Sequence, residues 1–198
     1  MSDKTYIVAS LDFGASNSKI VLRRQKYGDA ISHSSVFAAS GKTTRYKGPC
    51  GYLCENIDIL LEKLLNKARN ALEAKNRKLI KVVAISAHGS SNFICLDDNN
   101  KPVFGTPSYD HPLTEDDHKL FYKAFGDPDE LYVKTGTPNQ SKALNWAKLL
   151  FYQKTKHPDQ WKKVKYIVPL SVYIGSRLCG STSSIAAEHT QLHNHGYG

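Results

Sequence analysis

Between two β-branched apolar runs, Tyr6-Ile-Val-Ala-Ser-Leu and Lys19-Ile-Val-Leu, the chain gathers Asp12, Gly14, Ser16, Asn17 and Lys19 into eight residues. Those residue types at that spacing suit phosphate chemistry. If the runs are antiparallel strands joined by a tight turn, Gly14 lets the backbone approach a ligand closely, and the amides of Ala15, Ser16 and Asn17 can face one concavity. Ser16 and Asn17 add side-chain donors, Lys19 sets a positive charge on phosphate, and Asp12 at the strand end can hold Mg²⁺ directly or through water. The segment is not a Walker loop, because the Gly-Lys-Ser/Thr ending is missing and a strand rather than a helix comes next. The same spacing also suits an ordinary polar hairpin closed by an Asp12–Lys19 salt bridge. Free amides favour the first reading, and amides bonded within the protein favour the second.

Periodicity defines the elements that must position these residues. Tyr6–Asp12 and Ser18–Arg24 have strand composition with a short turn between them, which makes them antiparallel neighbours, and Ile31–Phe37 reads as a third strand. From Glu55 to Ala74, Ile57, Leu60, Leu61, Leu64, Leu65, Ala68, Ala71 and Leu72 recur at helical spacing. Ile80–Ala87 is a continuous apolar run of the kind buried on both faces of a sheet. A second hairpin is expected around the turn Asp98-Asn-Asn-Lys101. Thr114 with Asp117 forms a capping-box pattern that opens a helix to about Ala124. Gly136 and Pro138 mark a loop before a helix from about Ser141 to Thr155, with Leu144, Ala147, Leu150 and Phe151 on one face. Val164–Pro169 reads as a short strand, leading into a helix that Gly180 closes as a left-handed cap. Hairpin strands, then helix, strand and helix, make an α/β domain with a mixed sheet.

Bulk properties narrow the function classes. A chain of 198 residues suffices for one ordinary domain burying about 70% of its unfolded surface. No apolar run approaches the roughly 18 residues of a bilayer span, nor does the first one resemble a signal-peptide core, so no membrane association and a cytoplasmic location are expected. Cys50, Cys54, Cys95 and Cys179 are irregularly spaced, which predicts free thiols rather than a disulfide framework or zinc site. The net charge of +9 raises nucleic-acid binding. Its Lys and Arg residues, however, are scattered over helix faces (Lys63, Lys67, Arg69, Lys75, Lys154, Lys162) without interleaved aromatics, which predicts solvated faces and no nucleic acid. His189, His193 and His195 have i, i+4 spacing in part but lack an acidic or Cys partner apart from Glu188, and no metal site is assigned to them.

The segment Ser10–Leu22 resembles the first phosphate motif of the actin-like ATPase superfold, in particular the FGGY family of carbohydrate kinases, where strand, Asp-x-Gly, small polar residues and a basic residue recur. Its companions stand in order. Lys81–Asp110 is similar to the family's sugar-side strand, loop and hairpin. Leu131–Gly180 is similar to its Thr-Gly-x-Pro loop, the helix behind it, a Pro-x-x-Trp turn and an Arg-Leu-x-Gly helix end. Two departures stand out: Asn99-Asn100-Lys101-Pro102 replaces the usual Gly-Lys-Pro, and Gly89-Ser90-Ser91 lacks the Gln-Met-His or Gln-Arg-Glu of the xylulose and glycerol branches. Thr190-Gln191-Leu192 leans toward the branch acting on deoxy-ketohexoses such as rhamnulose or fuculose.

The resemblance implies an actin-like, ribonuclease H-like α/β fold, with a mixed five-stranded-type sheet and helices on both faces, as the N-terminal half of a two-domain kinase. It implies that residues 1–198 are the sugar-binding, first-phosphate-loop domain, incomplete at its C-terminal side, with ATP and Mg²⁺ as cofactors and a ketose or deoxy-ketose as acceptor. Asp12, Gly14, Ser16, Asn17 and Lys19 would serve phosphate and metal, and His88, Gly89, Tyr109, Asp110 and His111 the sugar. The general base, second phosphate loop and adenosine pocket would come after Gly198, so the isolated chain is expected to be inactive, and a homodimer is left open. His88 as a satisfied core histidine and Tyr109–His111 as turn chemistry are the structural alternatives. A non-catalytic actin-like module binding nucleotide or sugar is the functional one.

Overall fold

Along the first apolar run the buried residues alternate as Ile7, Ala9, Leu11 and Phe13, the period-two signature of a strand with one face covered. This strand, β1 (Thr5–Phe13), pairs antiparallel with β2 (Asn17–Lys26), where Ser18, Ile20 and Leu22 point to the same buried side. The computed structural model describes residues 5–28, 35–88, 93–136 and 146–180, and these form two compact units: residues 5–44 with 56–88, and residues 45–55 with 93–180.

In the first unit, β2 also pairs antiparallel with β3 (Ser35–Lys42). The expected third strand starts at Ile31; residues 31–34 lie outside the described residues, and pairing runs on from Ser35 to Lys42. The chain then makes a small hairpin of the second unit, β4 (Arg45–Lys47) and β5 (Leu53–Glu55), before rejoining the first. There the helix α1 (Ile57–Ala71) packs on β2 and β3 through Ile57, Leu60, Leu61, Leu64 and Ala68, the residues its 3.6-fold periodicity singles out. A single helical turn, α2 (Ala74–Arg77), returns the chain to β6 (Ile80–Ala87), which runs parallel to β1. The four-stranded order is β3-β2-β1-β6.

One expectation fails on β6. Ile80–Ala87 is not buried on both faces: Val82 and Val83 are 44% and 48% exposed. β6 pairs with β1 on one side, and no described strand lies on its other side. A short apolar run fixes strand character but not whether the strand is central or at an edge.

Besides its hairpin, the second unit holds an antiparallel pair, β7 (Phe93–Leu96) with β8 (Tyr166–Pro169). Around them lie α3 (Glu115–Phe125), α4 (Pro128–Thr135), α5 (Trp146–Lys156), α6 (Pro158–Trp161) and α7 (Leu170–Cys179). Tyr52, Cys54, Cys95, Val103, Phe104, Phe121, Leu149 and Tyr152 form its core. The turn after β7 is held by the Asp97 carboxylate, which accepts from the Asn99 and Lys101 amides at 2.9 and 2.8 Å. Asn100 stands there at φ 59°, in the left-handed region. Asparagine is the side chain that best tolerates this conformation after glycine, so Asn100 can stand where the Gly-Lys-Pro pattern has glycine.

Local signals hold elsewhere. Thr114 and Asp117 make both halves of the capping box, Thr114 N–H donating to Asp117 Oδ2 at 2.9 Å and Asp117 N–H to Thr114 Oγ1 at 3.2 Å. Gly180 closes α7 at φ 69°. Cys50 and Cys179 are exposed and Cys54 and Cys95 buried, all as free thiols. Two points differ. Apolar periodicity gives no sign of α4, although Asp127 caps it and Pro128 occupies its first turn. On α5 the fully buried positions are Trp146, Lys148, Leu149, Tyr152 and Gln153, whereas Ala147, Leu150 and Phe151 are only partly buried; Leu144 and the expected start at Ser141 lie outside the described residues. A lysine reads as polar and therefore outward, and Lys148 shifts the inferred face for that reason. Among the described residues no helix is long and apolar enough to cross a membrane.

Lys148 is 1% exposed, with Nζ 3.3 Å from His118 Nδ1 and 5.0 Å from the centre of the Tyr122 ring. Burial pushes its pKa down from 10.5 to about 8. The unfolded chain therefore binds more protons between those two values, and stability rises with pH across that window. Urea unfolding of the native chain and of Lys148→Met should show the native chain gaining on the variant as pH climbs from about 8 toward 10.5. A stability gap independent of pH would contradict this assignment.

Candidate functional site

The β1–β2 connection is a tight turn through Ala15 and Ser16, closed by a hydrogen bond from Gly14 N–H to the Asn17 carbonyl at 3.1 Å. A Cβ on Gly14 would stand 2.6 Å from that carbonyl oxygen, closer than real side chains come. Glycine is therefore required here by the turn's own closure, before any ligand is considered. The Gly14 amide is consumed, but among the described residues neither the Ala15 nor the Ser16 amide donates to a protein acceptor. Ser16, Asn17 and Lys19 are exposed, so the turn offers two free N–H groups, a hydroxyl, an amide side chain and an ammonium group to solvent.

Asp12 and Lys19 are direct register partners and lie on the sheet face opposite the α1-packed one. Lys19 Nζ stands 3.2 Å from Asp12 Oδ2, with side chains 60% and 44% exposed. The salt bridge of the ordinary-hairpin reading is thus present, together with the free amides of the phosphate reading. The two coexist because an ion pair this exposed is worth about 0–1 kcal/mol and yields readily to a polyanion.

The turn is anchored by a residue that sequence reasoning misses. Thr43, 5% exposed just beyond β3, donates its amide to the Ser16 carbonyl and its hydroxyl to the Gly14 carbonyl, both at 2.9 Å. Its Oγ1 also lies 3.5 Å from Ser18 Oγ. With the carbonyls of Gly14 and Ser16 held from below, the intervening peptide groups are fixed in orientation. The only sequence signal for this role is a Thr pair just after a strand.

His88 extends the same end of the sheet. β1 and β6 run parallel, Asp12 is opposite Ser86, and His88 N–H donates to the Phe13 carbonyl at 2.9 Å. The C-terminal ends of these two parallel strands therefore carry Asp12, the turn and His88 together, the location where open α/β sheets bind ligands. Gly89 lies outside the described residues.

In the second unit, Tyr109–His111 adjoins a buried polar cluster. Asp110 pairs with Arg45 at 3.2 Å and lies 2.6 Å from Ser108 Oγ, which is also 2.7 Å from Glu55 Oε1. His111 Nδ1 accepts from Leu53 N–H at 3.1 Å, and burial lowers its pKa despite the opposing pull of Asp117. Tyr109 is 38% exposed. Asp110 and His111 thus have structural partners already, and the Tyr109 and Asp110 side chains both stay open to solvent. Among the described residues no group of His, Cys, Asp and Glu forms a metal cage. His189, His193 and His195 lie outside the described residues.

Comparisons with known proteins bear on this arrangement. The sequence model of the N-terminal domain of the FGGY family of carbohydrate kinases matches residues 6–197. Rhamnulokinase from Halalkalibacterium halodurans is 27% identical over 147 residues, covering 73% of this chain and 30% of its own length. A carbohydrate kinase from Novosphingobium aromaticivorans superposes with a TM-score of 0.74 at 19% identity, over 98% of this chain and 37% of that one. A xylulose kinase from Rhodospirillum rubrum gives 0.68 at 14%, over 98% and 38%. At such identities the structural likeness shows the fold, an actin-like, ribonuclease H-like α/β architecture whose sheet has four strands among the described residues. The chain spans about a third of the length of these relatives.

Thr43→Val keeps the shape and removes the hydroxyl that holds the Gly14 carbonyl. It should lower unfolding stability by about 1–2 kcal/mol and accelerate hydrogen exchange at the Gly14 amide. Unchanged exchange at Gly14 in the variant would show that Thr43 does not anchor the turn.

Proposed function

Because the chain belongs to the FGGY family of carbohydrate kinases, matching its N-terminal domain, we propose that residues 1–198 form the sugar-side, first-phosphate-loop domain of an ATP-dependent kinase. The acceptor is a sugar hydroxyl of the ketose or deoxy-ketose class, of the rhamnulose, fuculose or xylulose type. The observation that carries this reading is the β1–β2 turn, with free Ala15 and Ser16 amides beside the exposed Asp12–Lys19 pair. The rhamnulokinase relative supports the deoxy-ketose choice.

In this reading the Ala15 and Ser16 N–H groups donate to phosphate oxygens of ATP, and the Ser16 hydroxyl and Asn17 amide add contacts. Lys19 transfers its charge from Asp12 to the polyphosphate. That exchange costs little, because the pair is solvent-screened. Asp12 fits a magnesium ion held through water: its carboxylate is half-exposed, and only Oδ2 is engaged by Lys19. Magnesium, when bound, neutralises phosphate charge and orients the transferring group. His88, at the same sheet end, donates to or accepts from a sugar hydroxyl. The residues of this chain bind and orient, and no general base is assigned among them. Domain closure would exclude water and align hydroxyl with γ-phosphate.

The parent protein should release ADP with one of L-rhamnulose, L-fuculose, D-xylulose or glycerol. Lys19→Met should reduce kcat/KM on the order of 100-fold. Calorimetric sugar binding without ADP release from any of the four would favour a non-catalytic binding module instead.

A further inference from the structure

The second unit contains a polar cleft that the phosphate-transfer reading does not use. Tyr52, His111, Asp117, Tyr152, Lys156 and His157 line it, and its volume is about 140 Å³. A cavity of about 150 Å³ holds a benzene-sized molecule, so this one suits about six non-hydrogen atoms. Its wall is aromatic: the Tyr52 ring meets the His111 ring at 5.0 Å and the His157 ring edge-on at 5.8 Å.

Most of its polar groups are locked in place. Leu53 N–H donates to His111 Nδ1, which in the neutral ring leaves the proton on Nε2 as a donor. Tyr152 donates its hydroxyl to the Asp117 carbonyl. The Asp117 carboxylate takes hydrogen bonds from Lys156 and from Thr114 N–H, and each of its oxygens keeps a second acceptor direction. Burial opposes ionisation of Asp117, but the Lys156 ammonium and Thr114 outweigh it and hold its pKa below the ordinary carboxylate value. The Tyr52 hydroxyl remains open too. Tyr52 is 4% exposed, and its hydroxyl makes no hydrogen bond among the described residues. The hydroxyl oxygen itself reaches solvent through the cleft, where a bound molecule can pair with it.

We propose that this cleft is a binding site for a small uncharged polyol, or for one end of a sugar. The lining favours that class over an ion because its two formal charges, Asp117 and Lys156, neutralise each other. Donors (His111 Nε2, Tyr52 Oη) and acceptors (the Asp117 carboxylate, Tyr52 Oη) stand beside aromatic faces, which suits hydroxyls that both donate and accept on a C–H framework. The site does not depend on the kinase reading, and its test involves no ATP.

The test is a titration of the 198-residue chain with erythritol, monitored by NMR of the histidine rings. Saturable shifts of the His111 and His157 ring signals are expected. Tyr52→Phe should weaken binding about fivefold, the loss of one hydrogen bond, without lowering the urea midpoint, because the hydroxyl has no internal partner to lose. If Tyr52→Phe does not fold, His157→Asn should show the same weakening. The proposal is overturned if erythritol leaves both rings unmoved or binds the folded variant as well as the native chain. Inorganic phosphate displacing erythritol at lower concentration would overturn the uncharged class.

Discussion

The constraint on which the first unit depends is the closure of β1 onto β2 through so short a turn. Gly14 must bring its amide to within 3.1 Å of the Asn17 carbonyl, where any Cβ would collide. Once that bond is made, the register is set, and Asp12 falls opposite Lys19 and Phe13 opposite Ser18. One side of the ribbon then carries Leu11, Phe13, Ile20 and Leu22 toward α1, and the other carries the ion pair. A slip of one residue would exchange the two sides, so burial of the apolar set protects the placement of the polar one. The same closure uses the Gly14 amide while leaving those of Ala15 and Ser16 unbonded, and Thr43 holds the carbonyls on either side.

Parallel pairing of β1 with β6 extends this logic. Two parallel strands end at the same edge of the sheet, so a ligand that meets the β1–β2 turn also meets the C-terminal end of β6. His88 is tied to that edge by its own amide. Asp12, the turn and the His88 backbone are thereby brought to one sheet edge by backbone geometry alone.

How much of this is legible in the residues depends on the range of the interaction. Period-two alternation in β1 and β2, the 3.6-residue stripe of α1, the Thr114–Asp117 box and the Gly180 cap are local, and each is present as the sequence indicates. Asn100 reads as a departure from family pattern, yet it stands at φ 59°, in the left-handed region that glycine favours. The failures are tertiary. The exposure of Val82 and Val83 on β6 depends on what pairs with that strand, and the burial of Lys148 depends on His118 and Tyr122, more than twenty residues away in the chain. The Thr43–Gly14 bond joins residues 29 apart. Chemistry-bearing residues are recognisable by type, whereas the residue that orients them is not, because a threonine after a strand looks like any other.

The most direct measurement of the central claim is amide NMR of the chain on addition of magnesium ATP. If the turn grips polyphosphate, the Ala15 and Ser16 amide signals should shift downfield saturably, and the Gly14 amide, already bonded to Asn17, should move much less. Ala15 and Ser16 amides that remain unmoved at saturating nucleotide, while other parts of the chain respond, would contradict the account.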